Sequence, residues 1–242
     1  MRKRQTRAGT RKIYLDIRDA LSEHGIKMGR DALFDFMRKH RLLVKKTKRH
    51  HITTDSKHGF YKSPNRIKGL TPTHAEQAFV ADITYIRIQN DHAYLALVTD
   101  LYSKKIMGYK LDTNMRANLV VEALKMALDA RSYPQNQIIH HSDRGIQYCC
   151  PQFAEFAQKN NILLSTTQQY DPYENAVAER VNGILKYEFG LIKTLPNLAT
   201  AQKMVKQAVE IYNNERRHYS LQMNTPDFAH KHQSHIYKKY SL

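Results

Sequence analysis

The sequence predicts an α/β domain with a mixed five-stranded sheet flanked by helices, preceded by a small basic helical segment. Five short apolar or alternating runs, beginning at residue 78, are typical of strands. Amphipathic helical stretches follow the third of these runs and separate or follow the later ones. Three successive strands and then alternating helices and strands indicate a mixed sheet with helices on its faces.

The elements are predicted in order from the spacing of their apolar residues. Strands are predicted at residues 78–88, 91–99, 104–111, 137–141 and 161–165, the first two joined by the turn at 89–91. Helices are predicted at residues 116–131, 151–160, 174–193 and 198–214. The second of these helices begins at a proline, which is favoured at the first helical position.

The positive charge is concentrated at the N-terminus. Residues 1–70 hold 20 Lys and Arg against 6 Asp and Glu (+14), whereas residues 71–242 hold 19 against 16 (+3). Helical patterns at 8–24 and from 30 to about 41, around a glycine-containing turn, fit a helix-turn-helix module. The predicted DNA contacts on its second helix are Arg30, Arg38 and Lys39. A helical hairpin with merely solvated charges is the alternative.

The chain is predicted to have three parts. Residues 1–48 form a basic, helix-turn-helix-like DNA-binding segment, residues 49–75 a basic linker, and residues 76–235 the catalytic domain with its C-terminal helices. The charge run around the first boundary contains Lys45, Lys46 and Arg49. Such a run either is a hydrated surface segment or binds along a DNA backbone.

The composition argues against a membrane-spanning, secreted or zinc-binding protein. No apolar run approaches the roughly 18 residues of a membrane span, and no apolar stretch follows the basic N-terminus, so a cytoplasmic location is expected. The two cysteines are adjacent and form no CxxC zinc pattern. His140 and His141 are interpreted as strand residues or phosphate contacts.

Three carboxylates in unlike settings suggest the chemistry. Asp82 lies within the first strand, Asp143 directly after the fourth, and Glu179 on a helix with Asn175 and Lys186 spaced along the same face. If the first and fourth strands are neighbours, the two aspartates approach each other. Carboxylate oxygens suit hard divalent cations, and two such ions serve phosphodiester chemistry. Each acid alone also has a purely structural interpretation.

The chain resembles the B-frame transposases of bacterial insertion sequences, whose catalytic core is similar to that of retroviral integrases. The matching stretches run in order through residues 78–230: 82–86, 98–108, 141–148, 174–179 with 183–186, and 212–213 with 216–221 and 225–226. The basic helical segment also resembles the helix-turn-helix ahead of this core. The chain departs from the pattern in lacking tryptophan and in having Arg217 where proline is usual and Glu174 where aspartate is frequent.

The resemblance implies a ribonuclease-H-like fold and a catalytic, metal-binding triad of Asp82, Asp143 and Glu179. It implies two Mg²⁺ or Mn²⁺ ions, with Lys186 contacting DNA. We expect Asn175 either to contact DNA or to support the site, as His141 and Ser142 would. Asp100 is expected to be a structural residue at a strand end.

The expected function is a DNA transposase that carries out metal-dependent cleavage and strand transfer at the ends of a mobile element. Its expected partners are terminal inverted repeats, target DNA, further copies of itself and an upstream-frame protein. No serine or tyrosine nucleophile is required. The alternatives are another ribonuclease-H-like nuclease, which cleaves without joining, and a catalytically inactive DNA-binding regulator.

Overall fold

A computed structural model describes residues 5, 7–44, 59–89, 91–168 and 174–232. Lys45, Lys46 and Arg49, which were predicted to contact DNA, lie outside the described residues, as does the first part of the predicted linker.

A mixed five-stranded sheet forms the centre of the molecule, with strand order β3-β2-β1-β4-β5. Its strands are β1 (Ala78–Ile88), β2 (Asp91–Asp100), β3 (Ile106–Asp112), β4 (Ile138–Ser142) and β5 (Ile162–Thr166). The first three are antiparallel, and β4 and β5 run parallel to β1. The predicted fold class is confirmed, and β1 and β4 are neighbours, as the site prediction required.

Eight α-helices are described. They are α1 (Thr10–Glu23), α2 (Arg30–Lys39), α3 (Ala117–Asp129), α4 (Ile146–Cys149), α5 (Pro151–Lys159), α6 (Ala176–Glu188), α7 (Leu198–Asn214) and α8 (Pro226–Lys231). Helices α4 and α8 were not predicted, because they are too short to show helical periodicity. The helix predicted at 174–193 ends at Glu188, two residues before Gly190, whose φ of +78° is left-handed.

The two faces of the sheet bury separate cores, because successive side chains of a strand point to opposite faces. Odd-numbered residues of β1 such as Phe79 pack with α3 and α5, and even-numbered residues such as Ile86 pack with α6 and α7. Asp82 is even-numbered, like the residues of β1 that pack with α6 and α7. The alternation therefore puts its side chain on the face of the sheet that α6 covers.

Gly108 allows β3 to approach α3 closely. A Cβ atom at this position would lie 2.1 Å from the Ala123 carbonyl oxygen and 2.6 Å from the Ala127 amide nitrogen, both backbone atoms. We therefore expect Gly108→Ala to lower the free energy of unfolding by roughly 3 kcal/mol, because overpacking forces the helix to shift. Urea denaturation measures this loss. Gly59→Ala, where nothing lies within 4 Å of the new atom, is the control, and equal stability of the two variants would contradict the prediction.

A buried polar network joins the start of β1, the end of β2 and α8. The Asp100 carboxylate accepts hydrogen bonds from the backbone amides of Glu76 (2.8 Å) and Ser103 (2.7 Å). His230 of α8 lies between Asp100 and Glu76, 3.1 Å from a Glu76 carboxylate oxygen. These contacts give Asp100 the structural role expected of it.

The N-terminal hairpin is attached to the rest of the molecule through α1. Arg217 donates a 2.7 Å hydrogen bond to Asp16, and Thr10 and Lys12 at the start of α1 are buried. The two predicted helices are present, around the turn at 24–29. Within the described residues, no helix is long and apolar enough to cross a membrane.

Candidate active site

Asp82 and Asp143 extend from neighbouring strands in the same direction. The parallel register of β1 and β4 pairs Val80 with His141, and each aspartate lies two residues further along its strand direction. Asp143 has already left the strand, and its Oδ1 accepts a 2.9 Å hydrogen bond from the Gly145 amide. The strand pairing therefore brings together two residues that are 61 positions apart in the sequence.

Asp82 is under the electrostatic influence of both other predicted acids. Burial and the nearby negative charges of Asp143 and Glu179 raise the pKa of Asp82 to about 7, although a hydrogen bond from Asn182 opposes the rise. Glu179 is the exposed member, whereas the aspartates are partly buried.

Helix α6 is fixed to β1 beside the acids by two asparagines. The Asn175 side-chain amide donates a 3.0 Å hydrogen bond to the Ala81 carbonyl, and the Asn182 amide donates a 2.7 Å bond to Asp82 Oδ2. Both side chains are buried, and the remaining Oδ1 atom of each has no hydrogen-bond partner within the described residues. These bonds hold Glu179 above the strand that carries Asp82.

The position of Asn175 supports only one of its two predicted roles. Its side chain is 6% exposed, and its amide is occupied by the Ala81 carbonyl. The buried amide of Asn175 supports its predicted role in holding the site together, and its assignment to DNA binding stays a prediction. Asn182 was not singled out from the sequence, although its spacing of three from Glu179 and four from Lys186 puts it on the same helical face.

Lys186 lies at the edge of the same site. Its ammonium is 4.0 Å from the centre of the Tyr85 ring, in a cation–π contact. Burial lowers the pKa of Lys186, and the negative charge of Asp82 partly opposes this. Its role as a DNA contact stays a prediction. Arg30 and Arg38 on α2 pair with Asp31 and Asp35 on the surface, Lys39 is exposed, and all three also stay predictions.

The residues just before Asp143 hold the end of β4 in place. His141 Nδ1 lies 2.8 Å from Ser165 Oγ on β5, and the Ser142 hydroxyl donates a 3.0 Å bond to the Asp143 carbonyl. Burial lowers the pKa of His140 to about 3 and that of His141 to about 4, so both rings are neutral at pH 7. Neutral, buried rings fit the interpretation as strand residues and not as phosphate contacts.

The donor set suits a divalent cation. The negative charges of Asp143 and Glu179 act on Asp82, and a bound cation would relieve that repulsion. In the described part of the chain, no three His, Cys, Asp or Glu side chains meet in the spacing of a formed metal site. Beside Asp143 a half-open cleft of about 530 Å³ is lined by β1, β2 and α4, including Tyr85, Tyr94 and Tyr148.

Comparison with known proteins identifies the family. The integrase core domain matches residues 72–172, and a second integrase core domain family matches residues 160–226. An uncharacterized 31 kDa protein of insertion element IS600 from Shigella sonnei is 34% identical over 215 residues, covering 88% of this chain and 77% of that protein. The chain belongs to the insertion-sequence transposases with an integrase-like core.

Named members of this transposase family are also similar. The transposase of IS629 from Shigella sonnei is 32% identical over 156 residues, covering 64% of this chain and 52% of that protein. Transposase InsF of IS3A from Escherichia coli K12 is 30% identical over 171 residues, covering 70% of this chain and 59% of that protein. The chain thus spans little more than half the length of these two relatives.

Two solved structures show the same fold. The HTLV-2 integrase catalytic core domain, in complex with magnesium, superposes with a TM-score of 0.51 at 17% identity, covering 65% of this chain and 97% of that chain. A simian T-cell lymphotropic virus intasome, in complex with a PP2A regulatory subunit, gives a TM-score of 0.56 at 16% identity, covering 92% of this chain and 74% of that chain. The ribonuclease-H-like core is therefore confirmed.

Proposed function

We propose that this chain is a DNA transposase that cleaves DNA at the ends of a mobile element and joins them to a target. The observation that carries the proposal is the single electrostatic cluster formed by Asp82, Asp143 and Glu179 from three separate elements. Membership of the transposase family supports the same conclusion.

Asp82, Asp143 and Glu179 would hold Mg²⁺ or Mn²⁺ ions, two in the complete site. Bound there, the cations would activate the attacking oxygen and stabilise the leaving oxygen of a phosphodiester. Support comes from the oxygen-only donor set and from the magnesium in the HTLV-2 integrase core.

The other residues position the reactants. Asn182 orients the Asp82 carboxylate, and Asn175 keeps α6 at a fixed distance from β1. Lys186, at the rim, would bind a substrate phosphate. The attacking group would be water in the first step and the freed 3′-hydroxyl in the second, so no protein side chain forms a covalent bond with DNA.

The proposed substrates are terminal inverted repeats and target DNA. Two element ends must be joined in one event, so the active species is proposed to be a homo-oligomer, with an upstream-frame protein as a possible additional partner. The cytoplasm is the proposed compartment, because bacterial DNA is there.

Analysis of products tests the proposal against its two alternatives. A labelled duplex of an element end is incubated with the protein and Mg²⁺, and products are resolved on a denaturing gel. We expect cleaved strands and longer joined strands, and neither product with EDTA. Cleavage without joined strands would support a nuclease, and binding without cleavage would support a regulator.

Asn182→Ala tests the positioning of Asp82. Loss of the 2.7 Å hydrogen bond should lower cleavage at limiting Mg²⁺ by roughly 10- to 100-fold, as for other residues that orient a metal ligand. The measurement is the cleavage rate over a Mg²⁺ titration, and saturating Mg²⁺ should restore part of the loss. Asn160→Ala on the exposed end of α5 is the control. An unchanged Mg²⁺ dependence in Asn182→Ala would contradict this role.

A further inference from the structure

A group of aromatic and basic side chains is only partly covered near the turn between β1 and β2. Directly opposite residues of an antiparallel pair project to the same face, so Tyr85 lies beside Tyr94 and Arg87 beside His92. Arg87 and His92 are exposed, and both tyrosines are only partly buried. The Tyr85 and His92 rings meet edge to face, with their centroids 5.6 Å apart. These four residues are here termed the aromatic platform.

The platform belongs to the half-open cleft beside Asp143. Its three aromatic members line this cleft together with Met115 and Ile146, which are 40% and 42% exposed. The volume of about 530 Å³ falls within the range of roughly 300–1,000 Å³ that is typical of sites for small ligands. The cleft therefore offers rings and apolar surface to a ligand directly beside one of the proposed metal-binding acids.

The chemistry of the cleft suits a nucleobase. The Lys186 ammonium lies 4.0 Å from the centre of the Tyr85 ring, and Arg87 is exposed beside it, so two cations accompany the rings. Bases stack on aromatic side chains, and cations attract the phosphates that adjoin them. Tyr148 also lines the cleft, and its buried hydroxyl has no hydrogen-bond partner within the described residues. A ligand with polar edges, such as a base, therefore fits better than a purely apolar one.

We propose that the aromatic platform stacks an unpaired base of the element-end strand, next to the phosphodiester that reacts at Asp143. The inference rests on the proposed function, because that function brings a DNA strand to Asp143. A base within a duplex is paired and stacked, so only a base that has left the stack can enter the cleft. Its capture would hold the strand on one side of the reacting phosphodiester and favour element ends whose terminal pairs open readily.

Binding to two matched duplexes tests the platform. Both carry the element-end sequence, one fully paired and one with a single unpaired base next to the cleavage position, and binding is measured in EDTA so that the DNA stays intact. The wild type should bind the unpaired duplex more tightly, because the cost of opening a base pair is absent. Tyr94→Ala should weaken binding to this duplex by roughly 5- to 100-fold, as expected for one lost stacked base, and binding to the paired duplex much less.

Matched variants separate stacking from folding. Tyr94 packs partly against the core, and Tyr94→Phe, which keeps the ring, should bind both duplexes like the wild type. His92→Ala, at an exposed position, covers a folding failure of Tyr94→Ala and should also weaken binding to the unpaired duplex selectively. Phe228→Leu removes a ring that is 45% exposed on α8, an element that does not line the cleft, and should leave both affinities unchanged.

A tryptophan at the platform reports contact directly. The chain contains no Trp, so Tyr94→Trp introduces a single indole reporter with a large stacking surface. Its emission should fall on binding the unpaired duplex and change little with the paired one, because a stacked base quenches an indole. Unchanged emission with the unpaired duplex would contradict stacking at this position.

The inference and the proposed function fail in different ways. Wild-type affinity of both Tyr94→Ala and His92→Ala for the unpaired duplex overturns the platform, even if the wild type cleaves and joins DNA. A selective loss in both variants supports it, even if the wild type shows no cleavage with Mg²⁺, which would overturn the transposase reaction alone. The same unpaired base in a duplex of unrelated sequence distinguishes target DNA, and an equal loss there would overturn the assignment to the element end.

Discussion

Replacing Asp82 by Asn is expected to abolish Mg²⁺-dependent cleavage and, at the same time, to stabilise the metal-free protein. Burial and repulsion from Asp143 and Glu179 raise the pKa of Asp82 from 3.8 to about 7. The folded state therefore binds this proton more tightly than the unfolded state. The cost of ionisation is absent below the unfolded pKa, grows as pH rises from about 4 to 7, and is complete above 7.

The same shift sets an upper limit of about 4 kcal/mol on the effect, and the polar amide that replaces the carboxyl has a burial cost of its own. We expect Asp82→Asn to raise the free energy of unfolding near pH 8 by roughly 2 kcal/mol, which corresponds to about 4–8 °C in melting temperature. Asparagine can still accept the hydrogen bond from Asn182 through its carbonyl oxygen. Cleavage should fall by at least about 1000-fold, because a group that holds the activating cations is lost.

Melting curves with and without Mg²⁺ separate the two effects. Mg²⁺ should raise the melting temperature of the wild type, because it binds only the folded state, and should raise that of Asp82→Asn much less. The stabilisation by Asp82→Asn should shrink between about pH 8 and pH 4. Asp129→Asn at the exposed end of α3 is the matched control. A melting temperature of Asp82→Asn below that of the wild type at pH 8 would show that burial and repulsion by Asp143 and Glu179 do not destabilise the ionised Asp82.

Replacing Glu76 by Gln is expected to cause the largest loss of stability in the described part of the molecule. The buried Glu76 carboxylate receives hydrogen bonds from Arg131 (3.1 Å) and from the backbone amides of Ser132 (2.6 Å) and Tyr133 (3.0 Å), and it contacts His230. Removing its charge leaves the buried Arg131 without its anionic partner. Breaking such a pair costs about 3–5 kcal/mol.

The pH dependence identifies the carboxylate as the cause. Burial alone would raise the pKa of Glu76, but the hydrogen bonds from His230, Ser132, Tyr133 and Arg131 outweigh burial and lower it to about 2. The stabilisation is therefore present above pH 4.5 and is lost as pH falls from 4.5 to about 2.

The contribution of His230 to stability has the opposite pH dependence. Burial lowers the pKa of His230, but its contacts with Asp100 and Glu76 raise it overall, so this part of the stability is present below pH 6.5 and declines as pH rises above the folded pKa.

Denaturation by urea at pH 7 and at about pH 3 measures these effects. Glu76→Gln should be less stable than the wild type at pH 7, and the difference should narrow at about pH 3, where the Glu76 carboxyl of the unfolded wild type is protonated but that of the folded protein is still ionised. Glu155→Gln, at an exposed position of α5, should differ little from the wild type at either pH. Equal stability of Glu76→Gln and the wild type at pH 7 would mean that the network contributes nothing to folding.

Local patterns in the sequence predicted the sheet and most helices because their periodicity is set by which face is buried. The alternation around Asp82 predicts a strand, and the ten-residue antiparallel register of β1 with β2 confirms it. The positions of Asp143 and Glu179 after a strand and on a helix were also predicted correctly. The approach of Asp82 and Asp143 required only that β1 and β4 be neighbours.

Contacts between distant segments were not predictable in this way. Asp16 and Arg217 are 201 residues apart, and neither lies in a local pattern that marks it as a docking residue. The same holds for Glu76 and His230, which are 154 residues apart and whose contact joins α8 to the segment before β1. Asn182 was missed because a buried asparagine on a helix has no signal of its own apart from its spacing to Glu179 and Lys186.

Strand cleavage by Asp143→Asn tests the three-acid site most directly. The variant, the wild type and the exposed-surface control Asp129→Asn are incubated with a labelled element end and Mg²⁺, under conditions where circular dichroism shows all three folded. We expect cleavage by the wild type and the control and none by Asp143→Asn within a detection range of about 1000-fold. Cleavage by Asp143→Asn at the wild-type rate would contradict the assignment of these carboxylates to the reaction.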